Sequence, residues 1–386
     1  MESMSLEETN ALKICAACKN CLSFCAVDKG GELRPLPSLI AEGLLTINCS
    51  SNLSETDIEM LKETYKCSLC GRCLECIHKL DVVELSYRLR RLLASKGLIP
   101  KTLVDLQHTV RGKKNAYGAD TSARSMWVDF VGLAKIQLNK SAETLYFVGC
   151  TPSYRAQGQD IAYAASLTLN TLNEDWTILG ADEWCCGMPL LAIGDRIGTK
   201  ELATHNVEFI ESLGVKMVVS SCPSCVYMLK NQYPKLIGRK PYFKVQHITQ
   251  LVDRRLEGGV LKKLKKTELK VAYHDPCQLV RCLNVYDEPR RILAKIANKV
   301  VEFPENGVET RCCGAGVCDI VEVVDPLRRL EEAGRRLFQA GAIRADIVVS
   351  ACPDCKIALS EAARRVKSGI EVLDILEMFA IQAELT

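Results

Sequence analysis

Residues 216–225, KMVVSSCPSC, recur as residues 346–355, DIVVSACPDC. In both copies a short apolar, β-branched run ends at Cys-Pro-x-Cys, the pattern of a buried parallel strand that carries two thiols to its carboxyl end. Outward from these segments the likeness continues. Cys150 closes LYFVGC, the pair Cys185 and Cys186 precedes Gly187, and Cys222 and Cys225 follow; then Cys277 closes LKVAYHDPC, Cys312 and Cys313 precede Gly314, and Cys352 and Cys355 follow. The first three cysteines of each set are 127 residues apart and the last two 130 apart, so one loop carries a three-residue insertion. A sparse pattern recurring in register over that distance reads as duplication of a domain. Between the strand runs, GTKELATHNVEFIESLG and DPLRRLEEAGRRLFQAGA space apolar residues by three and four and end near glycine, as helices do. Alternating strand and helix implies two duplicated α/β lobes, residues 141–255 and 256–386. Open parallel sheets bind ligands beyond the carboxyl ends of their strands, where most of these cysteines fall, so each lobe is expected to gather five thiols at one site.

The first 110 residues differ. LSETDIEMLKETY and VVELSYRLRRLLASKG have helical patterns, and no strand run is convincing. Two dense cysteine runs stand here: Cys15, Cys18, Cys21 and Cys25 in CAACKNCLSFC, and Cys67, Cys70, Cys73 and Cys76 in CSLCGRCLEC. Such runs curl successive sulfurs around one cubane cluster, and in two-cluster ferredoxins the fourth cysteine of each run serves the other cluster. On that pattern Cys15, Cys18, Cys21 and Cys76 hold one [4Fe-4S] cubane and Cys67, Cys70, Cys73 and Cys25 the other. Structural zinc is the alternative, although continued close spacing suits a tetrahedral ion poorly. Ala26 and Ile77 stand where proline usually follows the fourth cysteine, and Cys73 and Cys76 are closely spaced. Cys76 is thus the weakest ligand of the eight, with His78 as a conceivable substitute. A polar, aperiodic linker, residues 111–140, separates this helical ferredoxin-type module from the lobes.

Composition excludes several classes. At about 150 residues per domain, 386 residues make two or three domains with a real core, not a disulfide-stapled scaffold. Fifty basic and 47 acidic residues give no broad field for nucleic acid or acidic lipid. No apolar run reaches the roughly 18 residues of a membrane span, and the beginning MESMSLEETNALK lacks the apolar core of a signal peptide. A cytoplasmic chain is expected, and there 21 cysteines point to metal or redox chemistry. No glycine fingerprint for a dinucleotide and no phosphate loop occurs, so a flavin or nicotinamide belongs on another subunit.

The segments CCGMPLLAIGD, CCGAG, HDPCQLVRCLNVYDEPRRIL, CPSC and CPDC together resemble the family with the cysteine-rich CCG domain, over nearly the whole chain. That family includes heterodisulfide reductases and the iron–sulfur subunits of glycolate, lactate and glycerol-3-phosphate dehydrogenases. The order of a two-cubane module before two CCG lobes is similar to its heterodisulfide-reductase branch. Aligned through Asp81, Cys76 falls on the family's fourth ligand. The resemblance implies a noncubane [4Fe-4S] cluster on Cys150, Cys185, Cys186, Cys222 and Cys225, and another on Cys277, Cys312, Cys313, Cys352 and Cys355. It implies an oxidoreductase in which these ten cysteines are catalytic and a disulfide of the coenzyme M–coenzyme B type lies between the two clusters. The other reading is an electron-transfer subunit of an FAD-dependent glycolate or lactate dehydrogenase that delivers electrons to quinone or cytochrome. The implied partner is a flavoprotein or a cytochrome b subunit, through which the chain would sit peripherally on the inner membrane face. Val317 and Cys318 depart from the family's glycines after CCGAG, so Cys318 would narrow the pocket, add a thiol or simply pack. Cys49 and Cys282 are expected to pack. His274 would suit a hydrogen bond to cluster sulfur or a proton donated to a product thiolate, with turn-forming hydrogen bonds of the HDP segment as the simpler expectation. His247, after the strand-like FKVQ, is expected to be structural.

Overall fold

The computed structural model describes residues 4–29, 32–49, 52–130, 136–261, 264–316 and 323–385. The N-terminal module is built on helices Leu6–Ala17, Leu36–Cys49, Glu55–Glu63, Val82–Ser95 and Lys101–Lys113. Their starts follow from local chemistry: Ser54 and Asp57 form a reciprocal capping box, and Asp81 accepts the amide of Glu84. Leu39, Ile40 and Leu44 of the second helix pack with Leu61, Leu89 and Leu93, and this core runs on without a break into Leu145, Phe147 and Val218 of the first lobe. One element departs from the sequence reading. An antiparallel hairpin, β1 (Ala26–Lys29) with β2 (Glu32–Pro35), follows the first cysteine run. Strands of four residues that carry this many charges have no periodicity to reveal them.

Each lobe is a four-stranded, wholly parallel sheet. The first has the order β4 (Trp176–Thr177), β3 (Thr144–Tyr146), β5 (Met217–Ser220), β6 (Lys244–His247); the second repeats it as β8 (Ala297–Glu302), β7 (Thr267–His274), β9 (Ile347–Ser350), β10 (Glu371–Asp374). The four runs that end at cysteines are β3, β5, β7 and β9, central in their sheets and largely buried. The outer strands are harder to read because they are very short, as β4 is, or because one side of each meets water and interrupts the apolar run. In each lobe the chain leaves the middle of the sheet to one side after the first strand and to the other after the third, a topological switch point. Cys150 and Cys222 lie just past the two strands that flank it, as do Cys277 and Cys352 in the second lobe. Within the stretch read as a polar linker, Asn115, Arg124 and Trp127 are buried.

The duplication extends to the helix caps. His247 and Asp374, 127 residues apart, each close the last strand of a lobe and form a capping box on the next helix. The Thr249 amide donates to His247 Nδ1 (3.3 Å), leaving Nε2–H to donate to the Ser221 carbonyl (3.1 Å). Burial lowers the imidazole's pKa from its usual value to about 4. A base depressed by folding stabilises fully above its unfolded pKa of about 6.5, and that stability drains away as pH falls toward 4. About 2 kcal/mol is expected to be lost from this residue alone between pH 7 and pH 5. Chemical-unfolding midpoints at the two pH values should show it, and His247→Asn should flatten the difference; an unchanged slope in the variant would exclude His247 as its source.

Candidate metal centres

The first cysteine run is laid out by a helix end. Cys15 is in the last turn of Leu6–Ala17, Cys18 caps that helix in extended conformation, and Cys21 lies in the single turn Asn20–Ser23. Ser38 Oγ fixes the loop by donating to the Cys18 carbonyl (2.8 Å). In the second run, Leu69 and Gly71 adopt positive φ, which turns the backbone sharply between Cys67 and Cys73. Cys15, Cys18, Cys21, Cys73 and Cys76 line one cavity, with His78 also on its wall. Burial, then the nearby Cys76, Cys21 and Cys18, pushes the Cys15 thiol up to about 12. Burial also raises Cys25 well above the thiol range, with Cys67 and Cys70 as its nearest sulfur neighbours. Cys73 is raised by burial and by Cys67, Cys70, Cys25 and Cys21. Thiols of both runs thus lie together: Cys76 beside Cys15, Cys18 and Cys21, and Cys25 near Cys67 and Cys70, with Cys73 adjoining both groups.

In the first lobe the five thiols lie in one continuous group in which each acts on its neighbours' ionisation, in the order Cys150, Cys185, Cys186, Cys225, Cys222. Gly149 makes this possible: its φ is +83°, and a Cβ there would stand 3.1 Å from Cys225 Sγ. Hydrogen bonds from Cys185 and Cys225 lower Cys186 to about 6, while Cys150 and Cys225 are raised well above their usual value by their hydrogen bonds to neighbouring sulfurs and by burial. The second lobe repeats the order as Cys277, Cys312, Cys313, Cys355 and Cys352, with Cys313 Sγ 3.3 Å from Cys355 Sγ. Here Cys313 is held well below the thiol range by hydrogen bonds with Cys312 and Cys355. Sequence reasoning places all ten at these positions, and the fold draws them into two compact groups.

The groups are connected. Cys70 of the module and Cys312 of the second lobe line one cavity and shift each other's ionisation, and Arg281 Nη1 donates to the Cys70 carbonyl (2.6 Å). The two lobe sets face one another: Cys222 lies close enough to Cys352 to influence its ionisation. Thr151 Oγ1 donates to Asp354 Oδ1 (2.7 Å) and Ser224 Oγ to Gln278 Oε1 (2.6 Å), so polar side chains bridge the lobes beside the sulfurs. Cys312, Cys313, Gln278, Ser224 and Asp354 line a pocket between the lobes.

Several residues around the thiols were not read from sequence. Arg124 and Glu183 form a fully buried ion pair (2.7 Å), Glu183 accepts the amides of Val148 and Gly149 (2.8 Å each), and Arg124 Nη2 reaches Cys150 Sγ at 3.5 Å. Arg124 sits in the SARSMW segment, whose polarity suggested a linker, and no periodicity there signalled its burial. The HDP segment divides its tasks. Asp275 makes the turn-forming hydrogen bonds, accepting from Gly307 N and from both Nη atoms of Arg290 (2.8–2.9 Å), whereas His274 does not, pairing instead with Arg336 in the lobe interior. Cys49 is exposed rather than packed, and burial raises Cys282 to about 11 beside Arg281. Cys318 lies outside the described residues.

Among the described residues no disulfide forms, so these sulfurs are free to take up metal. Grouped thiolates are the ligands that iron–sulfur clusters require, and metal binding would deprotonate the thiols that burial now keeps neutral. The donor sets fit such clusters. No helix among the described residues is long and apolar enough to cross a membrane.

Comparison with known proteins agrees with this chemistry. The family model for the cysteine-rich CCG domain matches residues 144–230 and 271–360, one match in each lobe. The chain is 34% identical over 337 residues to one of the subunits of the dihydromethanophenazine:CoB–CoM heterodisulfide reductase of Methanosarcina acetivorans, covering 86% of this chain and 80% of that one. The corresponding polypeptide of the Methanosarcina barkeri enzyme is 32% identical over 390 residues, covering 96% and 93%. The EtfAB:quinone oxidoreductase of Syntrophomonas wolfei is 25% identical, over 83% of this chain and 47% of its own length.

Proposed function

The chain belongs to the cysteine-rich CCG-domain family and is an iron–sulfur oxidoreductase, and from that premise we propose that it is a disulfide-reducing subunit of a redox complex. Cys15, Cys18, Cys21 and Cys76 would hold one cubane [4Fe-4S] cluster and Cys25, Cys67, Cys70 and Cys73 the other. The five-cysteine sets of the two lobes would hold noncubane [4Fe-4S] clusters. When bound, such clusters store and pass single electrons. The chain's own residues set the path: Cys70 beside Cys312 leads from the module to the second lobe, and Cys352 beside Cys222 leads on to the first. A disulfide of the coenzyme M–coenzyme B type would enter the pocket between the lobes, where Ser224, Gln278 and Asp354 offer polar contacts. A flavoprotein or cytochrome b partner would supply the electrons and any attachment to a membrane.

The observation that carries this reading is that both lobes keep all five thiols, with Cys222 of the first close to Cys352 of the second, beside a pocket lined by the second lobe's five cysteines and the first lobe's Ser224. A second reading, an electron carrier between a flavoprotein and quinone, draws support from the likeness to the EtfAB:quinone oxidoreductase. Anaerobically purified protein is expected to be coloured and to contain iron and acid-labile sulfide. It should oxidise a reduced viologen dye when the heterodisulfide is added. Coloured protein with no disulfide turnover and no thiol-dependent cluster signal would leave the carrier reading; colourless, iron-free protein would overturn both.

A further inference from the structure

His274 ends β7 and is 1% exposed. Counting back by the 127-residue repeat, its counterpart in the first lobe is Phe147, so duplication left a polar side chain in one lobe and a hydrocarbon in the other. Arg336 Nε donates to His274 Nδ1 at 3.2 Å, and a guanidinium has only donors. Nδ1 therefore presents its lone pair. Arg336 is fixed in turn by donating Nη1 to the Glu305 carbonyl (3.1 Å) and to Gln339 Oε1 (2.7 Å), and it lies 3.9 Å over the Phe303 ring. Burial, then the charge of Arg336, holds the imidazole well below its usual pKa, so the ring is neutral and its single proton is on Nε2. That Nε2–H is buried and meets no hydrogen-bond acceptor among the described residues. A ring nitrogen of His274 and the sulfurs of Cys313 and Cys355 all lie within 4.8 Å of one another.

An unpaired buried donor is costly, and the neighbours that could accept from it are sulfurs. Direct ligation is the competing use of the ring. It would require the lone pair of Nε2 while Nδ1 already turns its own toward Arg336, which makes the ring an imidazolate. We propose that His274 is a positioning residue of the second lobe, donating its Nε2–H to a sulfur of the cluster held by Cys313 and Cys355 and thereby raising that cluster's reduction potential. This rests on the reading that the second lobe binds a cluster. A hydrogen bond to sulfur favours the reduced, more negative state; Phe147 supplies none at the matching place in the first lobe, where Arg124 reaches Cys150 instead, so the two duplicated centres are bonded differently.

The test is a redox titration of the purified holoprotein, followed by electron paramagnetic resonance, on the wild type, His274→Phe and His274→Gln. In His274→Phe the reduced fraction of the second-lobe cluster at a fixed potential is expected to fall about tenfold, which is about 59 mV for one electron, with iron content and cubane signals unchanged. His274→Gln keeps an N–H and should restore part of the shift; it also decides the matter if the phenylalanine variant fails to bind the cluster. In the wild type, an exchangeable proton and a weakly coupled nitrogen should appear in the hyperfine spectrum of that cluster. Unchanged potentials in both variants, or the strong nitrogen coupling of a bonded imidazole, would overturn the proposal. Absence of iron from the second-lobe site in the wild type would instead overturn the reading on which it rests.

Discussion

Cys313→Ser is expected to empty the second-lobe site while the two N-terminal centres keep their signals. Cys313 is buried at the middle of the group of five thiols, between Cys312 and Cys355, where hydrogen bonds already favour its thiolate. Serine preserves the shape but offers a hydroxyl that stays protonated at neutral pH and is a hard ligand, ill suited to iron in a sulfur cage. Iron and acid-labile sulfide should fall by one cluster's worth, and disulfide reduction by more than about a hundredfold. Cys186→Ser should act in the same way on the first lobe, because Cys186 holds the matching place between Cys185 and Cys225. A variant with full iron content and an unchanged turnover rate would mean that the paired cysteines are not ligands.

The other large effect is expected from Arg90→Met, and it acts on stability. Arg90 is fully buried in the helix Val82–Ser95, and its guanidinium donates to the carbonyls of Cys67 (2.7 Å), Ala192 (2.9 Å), Thr64 (3.2 Å) and Tyr65 (3.3 Å). One side chain thus binds the backbone entering the second cysteine run to the first lobe. Methionine fills most of the volume but leaves four carbonyls without their donor, at a cost on the order of 3–5 kcal/mol. Gly194 marks the same contact from the other side. Its φ is +104°, and a Cβ would stand 2.3 Å from the Arg90 carbonyl, so Gly194→Ala should weaken the junction too. Urea-unfolding midpoints followed by circular dichroism under anaerobic conditions should show a large drop for Arg90→Met, with loss of the centre built on Cys67. A change within about 1 kcal/mol would show that the carbonyls find other partners.

What the sequence disclosed and what it hid have separate physical causes. Central strands with both faces covered appear as unbroken apolar runs, so β3, β5, β7 and β9 could be read, and the cysteines at their ends came with them. Outer strands alternate or stop after two residues, and the β1–β2 hairpin is short and charged, so neither had a periodic signature. The five thiols of each lobe were legible as a group because they recur in register and fall at the ends of central strands. Arg124, Glu183, Arg90 and Arg336 were not, because a buried arginine looks like a surface arginine until the fold supplies its carbonyls, carboxylate or imidazole. For His274 the repeat itself held the clue: aligning the two lobes puts histidine opposite Phe147, a contrast invisible in either copy alone.

The N-terminal module shares its apolar core with the first lobe, yet its sulfur-to-sulfur contact, Cys70 with Cys312, is with the second. On the proposed reading the module is held chiefly by the packing it shares with the first lobe, while its electrons leave toward the second. A chain ending after the first lobe would keep the packing that holds the module in place but lose the contact through which, on the proposed reading, charge leaves it.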